Sequence, residues 1–105
     1  MLTPKRPTVA LLSVFVALVG CAVPSSPVSV GSALETVHEA FAPEPPYAVS
    51  CDGRTYFPEN TRYSECQSQN VFILIFRRGD FQYAYTLQDR RVSAVSVANH
   101  AITYP

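Results

Sequence analysis

The sequence predicts an α+β domain, dominated by strands, in which one short N-terminal helix packs on a small antiparallel β-meander. Three observations support this fold class: an amphipathic stretch before residue 43, three strand-like runs between residues 71 and 98, and a cysteine pair between these two regions. A helix and a sheet each carry an apolar surface, and layering one on the other buries both. The predicted domain covers residues 32–105.

A single helix is predicted over residues 32–42. Ser32 and Glu35 form the Ser-x-x-Glu pattern of a capping box, which predicts that Ser32 is the helix N-cap. Pro43 disfavours helical backbone in the preceding residue and therefore ends the helix. The apolar positions recur at helical spacing and predict the buried side of the helix: Ala33, Leu34, Val37, Ala40 and Phe41.

A cysteine pair, Cys51 and Cys66, predicts a disulfide that closes a hairpin. The arms of this hairpin would be Arg54–Phe57 and Thr61–Tyr63, folded about a turn at residues 58–60. Opposed residues on antiparallel strands lie close enough for a disulfide. A redox pair or a metal site is the alternative, but the spacing is not Cys-x-x-Cys and no histidine lies between the cysteines.

Three strands are predicted after the second cysteine, joined by turns into a meander. The first, Val71–Arg77, is apolar on both faces, which predicts neighbours on both edges and a cover on both faces. The second, Phe81–Leu87, alternates apolar and polar residues as a half-buried strand does. The third, Arg91–Ala98, contains the apolar residues Val92, Val95 and Val97.

Aromatic residues of the second strand form the one candidate interface. Phe81, Tyr83 and Tyr85 share one face of Phe81–Leu87. Tyrosine is enriched in protein interfaces, so an exposed row would be a docking surface. The alternative is a core face that covers the helix and directs its hydroxyl groups to the rim.

The first 21 residues have the order of an export signal. Lys5 and Arg6 precede an uncharged run over residues 9–20, and Leu18-Val19-Gly20 leads into Cys21. This segment resembles the signal peptide of a bacterial lipoprotein, whose lipobox cysteine is lipidated. The alternatives are a membrane-spanning anchor or a secretory signal cut elsewhere. The run of 12 residues is short for a span, which needs about 20 apolar residues.

The resemblance to lipoproteins implies that the protein is located in the bacterial cell envelope. Residues 1–20 would be removed, Cys21 would carry diacylglycerol and an acyl chain such as palmitate, and residues 21–31 would form a flexible tether. In lipoproteins of bacteria with two membranes, an aspartate after the lipidated cysteine favours retention at the inner membrane. Ala22 stands there instead, which favours the outer membrane, facing the periplasm, if the source has one.

The composition of the mature part disfavours nucleic acid as a partner. Residues 21–105 contain six arginines, no lysine and eight acidic residues, which gives a formal charge of −2. The sequence predicts no catalytic residue, metal site or cofactor, since it contains no recognisable nucleophile elbow, phosphate loop or His-Glu metal motif. His38 beside Glu35 and Glu39 reads as a solvated helix face, and Arg78-Gly79-Asp80 reads as a hairpin turn.

Two functions from different classes remain open. The first is a non-enzymatic envelope protein, anchored by lipid, that binds another envelope protein. The second is a small periplasmic inhibitor or ligand-binding lipoprotein. The segment over residues 47–53, Tyr-Ala-Val-Ser-Cys-Asp-Gly, resembles the opening of the lipoprotein inhibitors of c-type lysozyme. The chain departs from that family because it lacks the later Ser-Gly-x-x-Tyr loop and the more distant disulfide partner.

Overall fold

The computed structural model describes residues 23–100, which form a five-stranded antiparallel sheet with a helix packed on one face. The predicted α+β, strand-dominant fold class is confirmed. The spatial order of the strands is β2-β1-β3-β4-β5. The elements in chain order are α1 (Leu34–Phe41), β1 (Ala48–Cys51), β2 (Arg54–Tyr56), α2 (Arg62–Cys66), β3 (Val71–Arg78), β4 (Phe81–Gln88) and β5 (Arg91–Asn99).

The core lies between α1 and one face of the sheet, which we call the packed face. Val37 and Phe41, one helical turn apart, are fully buried. The Phe41 ring stacks on Phe76 of β3 with 4.2 Å between centroids and contacts Tyr83 and Tyr85 of β4. A helix of eight residues is too short to be stable alone in water, so this aromatic contact holds it in place.

The predicted N-cap at Ser32 is wrong, because the chain before α1 makes backbone bonds to β5 instead. The helix begins at Leu34, and its N-cap residue, Ala33, makes no side-chain capping bond. The Ser32 carbonyl accepts a hydrogen bond from Val92 N at 2.9 Å, and Gly31 N donates to the Val92 carbonyl at 2.8 Å. These backbone bonds to a neighbouring strand replace the local side-chain cap.

The predicted flexible tether over residues 21–31 extends too far, since its second half is part of the domain. Val28 lies in the core with 3% of its surface exposed. Ser26 Oγ lies 2.6 Å from the Tyr85 hydroxyl oxygen. We call residues 26–33 the entry segment. It is fixed because one apolar side chain and several backbone groups find partners on the sheet, which a count of proline and serine could not reveal.

The predicted disulfide between Cys51 and Cys66 is confirmed, but the hairpin around it is wrong. A two-residue turn at Asp52-Gly53 folds β2 back on β1, and Arg54 lies opposite Cys51. Both turn residues have positive φ, 54° and 76°, as a type I′ turn requires. The segment predicted as the second arm, Thr61–Tyr63, leads into α2, so the disulfide joins the end of β1 to a helix. The Asp-Gly dipeptide is the sequence signal for the turn that forms.

The meander of β3, β4 and β5 follows the predicted order and pairing. The prediction that β3 is covered on both faces is wrong. Phe72, Leu74 and Phe76 are buried on the packed face, whereas Ile73 and Ile75 on the other face are half-buried and Val71 is exposed. Strands on both edges of β3 shield these residues in part, so apolar residues on both faces did not require a second layer.

A bulge in β5 keeps its valines on one face. Leu87 lies opposite Val92 and Thr86 lies opposite Ala94, which leaves Ser93 as the extra residue. The shift turns Val95 and Val97 to the packed face, where both contact the core. Without the bulge, strict alternation would place them opposite to Val92. The three-residue step between Val92 and Val95 is the mark of this bulge in the sequence.

Candidate functional site

The second face of the sheet carries neither helix, and we call it the open face. The helix α1 contacts the packed face, and α2 is joined by its disulfide to Cys51 on that same face. Strand registers assign alternate residues to the open face. These residues are Thr55; Ala48 and Ser50; Val71, Ile73, Ile75 and Arg77; Gln82, Ala84, Thr86 and Gln88; and Arg91, Ala94, Ser96 and Ala98.

The open face is nearly free of charge. Among the described residues, Arg77 and Arg91 are its only ionisable side chains; they lie near opposite ends of the sheet, and no acidic residue accompanies them. Ile73 and Ile75 form its apolar centre together with Ala84, which lies opposite Ile75. Small, uncharged and partly apolar side chains cost little to desolvate, so this surface is better suited to contact with another macromolecule than to binding an ion.

An aromatic corner, formed by Tyr47, Phe57 and Arg77, borders the open face. The Arg77 guanidinium carbon lies 3.9 Å from the centroid of the Tyr47 ring, and Tyr47 meets Phe57 edge to face at 5.5 Å. Both rings remain about two-fifths exposed. Arginine and tyrosine are enriched where interfaces carry most of their binding energy. The sequence did not predict this corner, because Tyr47 and Phe57 are ten residues apart and meet only through the pairing of β1 with β2.

The interface predicted from Phe81, Tyr83 and Tyr85 is wrong. Tyr83 and Tyr85 are buried beneath α1, and Phe81 packs against the same core. Burial raises the pKa of the Tyr85 hydroxyl, an effect that the hydrogen bond with Ser26 opposes. The alternative interpretation, a core face with hydroxyl groups toward the rim, is the one the structure shows.

A shallow groove of about 370 Å³ separates the end of α1 from α2. The connector over residues 42–46, with its three prolines, forms one wall, and His38, Tyr63 and Gln67 complete the lining. The Tyr63 hydroxyl donates to the Pro46 carbonyl at 2.8 Å, and Gln67 Nε2 donates to the Tyr63 carbonyl at 3.2 Å. Burial raises the pKa of Tyr63. Since these polar groups already have partners within the chain, the groove offers a ligand few free donors.

The remaining candidates do not form a reactive site in the part of the chain that the structure describes. Glu35 and Glu39 are exposed, and the His38 ring meets Phe76 edge to face at 6.3 Å. Residues 23–100 contain no group of three histidine, cysteine or acidic side chains placed to hold a metal. Gly79, with φ of 61°, makes the turn between β3 and β4, as predicted for Arg78-Gly79-Asp80.

The predicted lipobox, which ends at Cys21, lies outside the described residues. Within residues 23–100, no helix is long and apolar enough to cross a membrane. Comparison with known proteins adds no relative: no family model, no curated protein and no solved structure matches the chain.

Proposed function

We propose that this chain is a lipid-anchored protein of the bacterial envelope that acts without catalysis by binding another envelope protein through its open face. The observation that carries the proposal is a five-stranded sheet with one face covered by a helix and the other nearly free of charge and in contact with neither α1 nor α2. The lipobox-like sequence that ends at Cys21 supports the proposed location in the envelope. The disulfide supports an oxidising compartment, where such bonds persist.

The entry segment limits how far the domain could stand from the membrane. The domain begins near Ser26, only five residues after Cys21. At about 3.3 Å per extended residue, this span reaches roughly 16 Å. The headgroup region accounts for about 5–8 Å on each side of the bilayer. The expected partner is therefore a protein exposed at the membrane surface, rather than one that lies far into the periplasm.

The anchor is tested by Cys21→Ala in the full chain. We expect the wild-type protein in the membrane fraction and the variant in the soluble fraction or retained with an uncleaved signal. Labelling with a fatty-acid analogue should be lost in the variant. A wild-type protein that incorporates no label would overturn the lipid anchor.

The docking surface is tested by Ala84→Glu, which places a charge at the centre of the open face. The matched control is Ser64→Glu, which adds the same charge on exposed α2, away from that face. Cross-linked membranes should yield one recurrent envelope protein with the wild type and with the control. We expect the Ala84→Glu variant to recover much less of this envelope protein. Equal recovery by all three chains would refute docking at the open face.

Ligand binding in the groove is the second candidate function, and the groove volume is the observation in its favour. A volume of about 370 Å³ is at the lower end of the range for small-molecule sites. A Gln67→Trp variant should fill the groove and abolish any thermal stabilisation by a bound metabolite, while Gln69→Trp, outside its lining, should not. For the inhibitor class, the purified protein added to a muramidase should cause stoichiometric loss of activity.

A further inference from the structure

The two edges of the sheet differ in how they are protected from pairing with another strand. The β2 edge is three residues long, includes Arg54, and is followed by Pro58. Short length, charge and proline are the usual means by which proteins protect an edge. The β5 edge extends over nine residues and has no charge or proline between Val92 and Asn99. Its bulge lies near one end, at Ser93.

Within the described chain, the outer side of β5 is covered only at its beginning. The entry segment bonds to Val92 and forms a bridge from Ala33 to Arg91, and Leu34 N at the start of α1 donates to the Arg90 carbonyl. No residue among 23–100 pairs with the outer side of Ala94–Ala98. Alternate residues of an edge strand direct their backbone N–H and C=O groups outward. The backbone N–H and C=O of Val92 point away from β4 and bond to the entry segment. The register after the bulge directs the backbone N–H and C=O of Val95 and Val97 to the same outer side.

The uncovered part of β5 reads the same in both directions. Residues 94–98 are Ala-Val-Ser-Val-Ala, a palindrome centred on Ser96. An antiparallel pair made by a two-fold axis at Ser96 therefore places identical residues opposite one another: Ala94 against Ala98, Val95 against Val97, and Ser96 against Ser96. Such a contact is isologous, and none of its side chains is charged. The outward backbone groups of Val95 and Val97 face each other and form the hydrogen-bonded pairs.

We propose that residues 94–98 of β5 pair antiparallel with the same segment of a second copy, joining two five-stranded sheets into one of ten strands. The valines extend the packed face across the junction, and Ser96 and the alanines extend the open face. Five paired residues per chain bury less than a standard interface of about 1,600 Å². The association is therefore weak in solution, and covalent trapping is the suitable measurement. The pairing does not depend on the proposed lipid anchor.

The pairing predicts which engineered cysteines form a disulfide between copies. Ser96 would form a non-hydrogen-bonded pair with Ser96 of the second copy. The two Cα atoms of such a pair lie about 4.5 Å apart, which permits a disulfide between cysteines at this position. In the full chain, oxidised in the envelope fraction, we expect Ser96→Cys to give roughly ten times more covalent dimer than Thr55→Cys, because opposed thiols have a high effective concentration. Thr55 is the matched control, exposed on the other edge strand. Equal dimer yields would overturn the proposal.

The register is tested by two further variants. Ala94→Cys alone should not form dimers, because the two copies of residue 94 lie about 13 Å apart along the strands. Chains with Ala94→Cys and Ala98→Cys, co-expressed with different tags, should form the mixed dimer. Efficient dimers from Ala94→Cys alone would contradict the palindromic register. A Ser96→Cys product linked to a different protein would show that the edge pairs with a foreign strand, and would also overturn self-pairing.

Discussion

The two faces of the sheet differ in the size of their side chains and in what covers them. The packed face carries the large side chains Phe72, Leu74, Phe76, Tyr85 and Leu87, each at most 1% exposed. The open face carries mostly alanine, serine, threonine, glutamine and two isoleucines, with Val71 half exposed and one arginine near each end. Burial of apolar surface is the main stabilising contribution to folding. The packed face therefore contributes most of the burial that stabilises the fold, whereas neither α1 nor α2 covers the open face.

The largest expected effect is on the packed face. Phe41→Ala should lower the free energy of unfolding by about 3–5 kcal/mol, because it removes a fully buried ring that stacks on Phe76. Urea unfolding followed by circular dichroism measures the change. Phe57→Ala is the control, since that ring is 43% exposed, and it should cost about 1 kcal/mol or less. Similar costs for both variants would contradict the assignment of the core.

The disulfide connects the packed face to α2, and its loss should be the next largest effect. Cys66→Ser should lower the free energy of unfolding by roughly 3 kcal/mol in the chain-entropy model for a loop of this size. Reducing agent should destabilise the wild type by a similar amount and leave the variant unchanged. A variant as stable as the oxidised wild type would show that the bond does not constrain the unfolded chain.

A smaller effect is expected where the entry segment meets the packed face. Tyr85→Phe should cost about 1 kcal/mol, because it removes the hydrogen bond between Tyr85 and Ser26. Ser26→Ala should cost a similar amount, and the double variant should cost less than the two single changes together. Strict additivity would contradict a direct bond between these side chains.

Alkaline pH provides a measurement of the burial of the Tyr85 hydroxyl. Burial raises the pKa of Tyr85 above its ordinary value of 10.0, so the folded state holds this proton more tightly than the unfolded state. The stabilisation is complete below pH 10 and is lost as the pH rises from 10 through the folded-state pKa. Stability should therefore fall above pH 10, and less steeply in Tyr85→Phe.

The smallest effect is expected on the open face. Ala84→Glu should change the free energy of unfolding by less than about 1 kcal/mol, because neither α1 nor α2 packs there. The same chemical denaturation measures it. A loss of several kcal/mol would mean that another part of the chain covers this face, and would end the distinction between the two faces.

Most of the sequence-based predictions succeeded where the interactions that form an element are local, and failed where they are not. The three strands of the meander were predictable, since alternation and turn residues occur within each segment. The helix boundary at Ser32 was not, because backbone bonds to β5, some 60 residues later, replaced the local cap. The hairpin between the cysteines failed for another reason. The Asp52-Gly53 dipeptide is a local turn signal that pairs β1 with β2, and it prevails over the spacing of the cysteines about residues 58–60.

The candidate site was less predictable than the fold. The aromatic row on β4 has the composition of an interface, and only packing against Phe41 decided that it is core. Conversely, Tyr47 and Arg77 are unremarkable in sequence and form an exposed corner once β1 pairs with β3. Composition gives the chemistry of a side chain, whereas its exposure depends on what the rest of the chain places over it.

The sequence by itself determined the class of the fold, the cysteine pairing and the order of the meander, because these follow from periodicity and from an even pair of thiols. Only the tertiary structure decided which face of the sheet the helix covers, that the segment from Ser26 packs on the sheet, and which edge residues 23–100 leave unprotected. The physical reason is that such outcomes depend on contacts between segments distant in sequence. Local patterns specify which side chains of a segment can be buried, but not which other segment covers them.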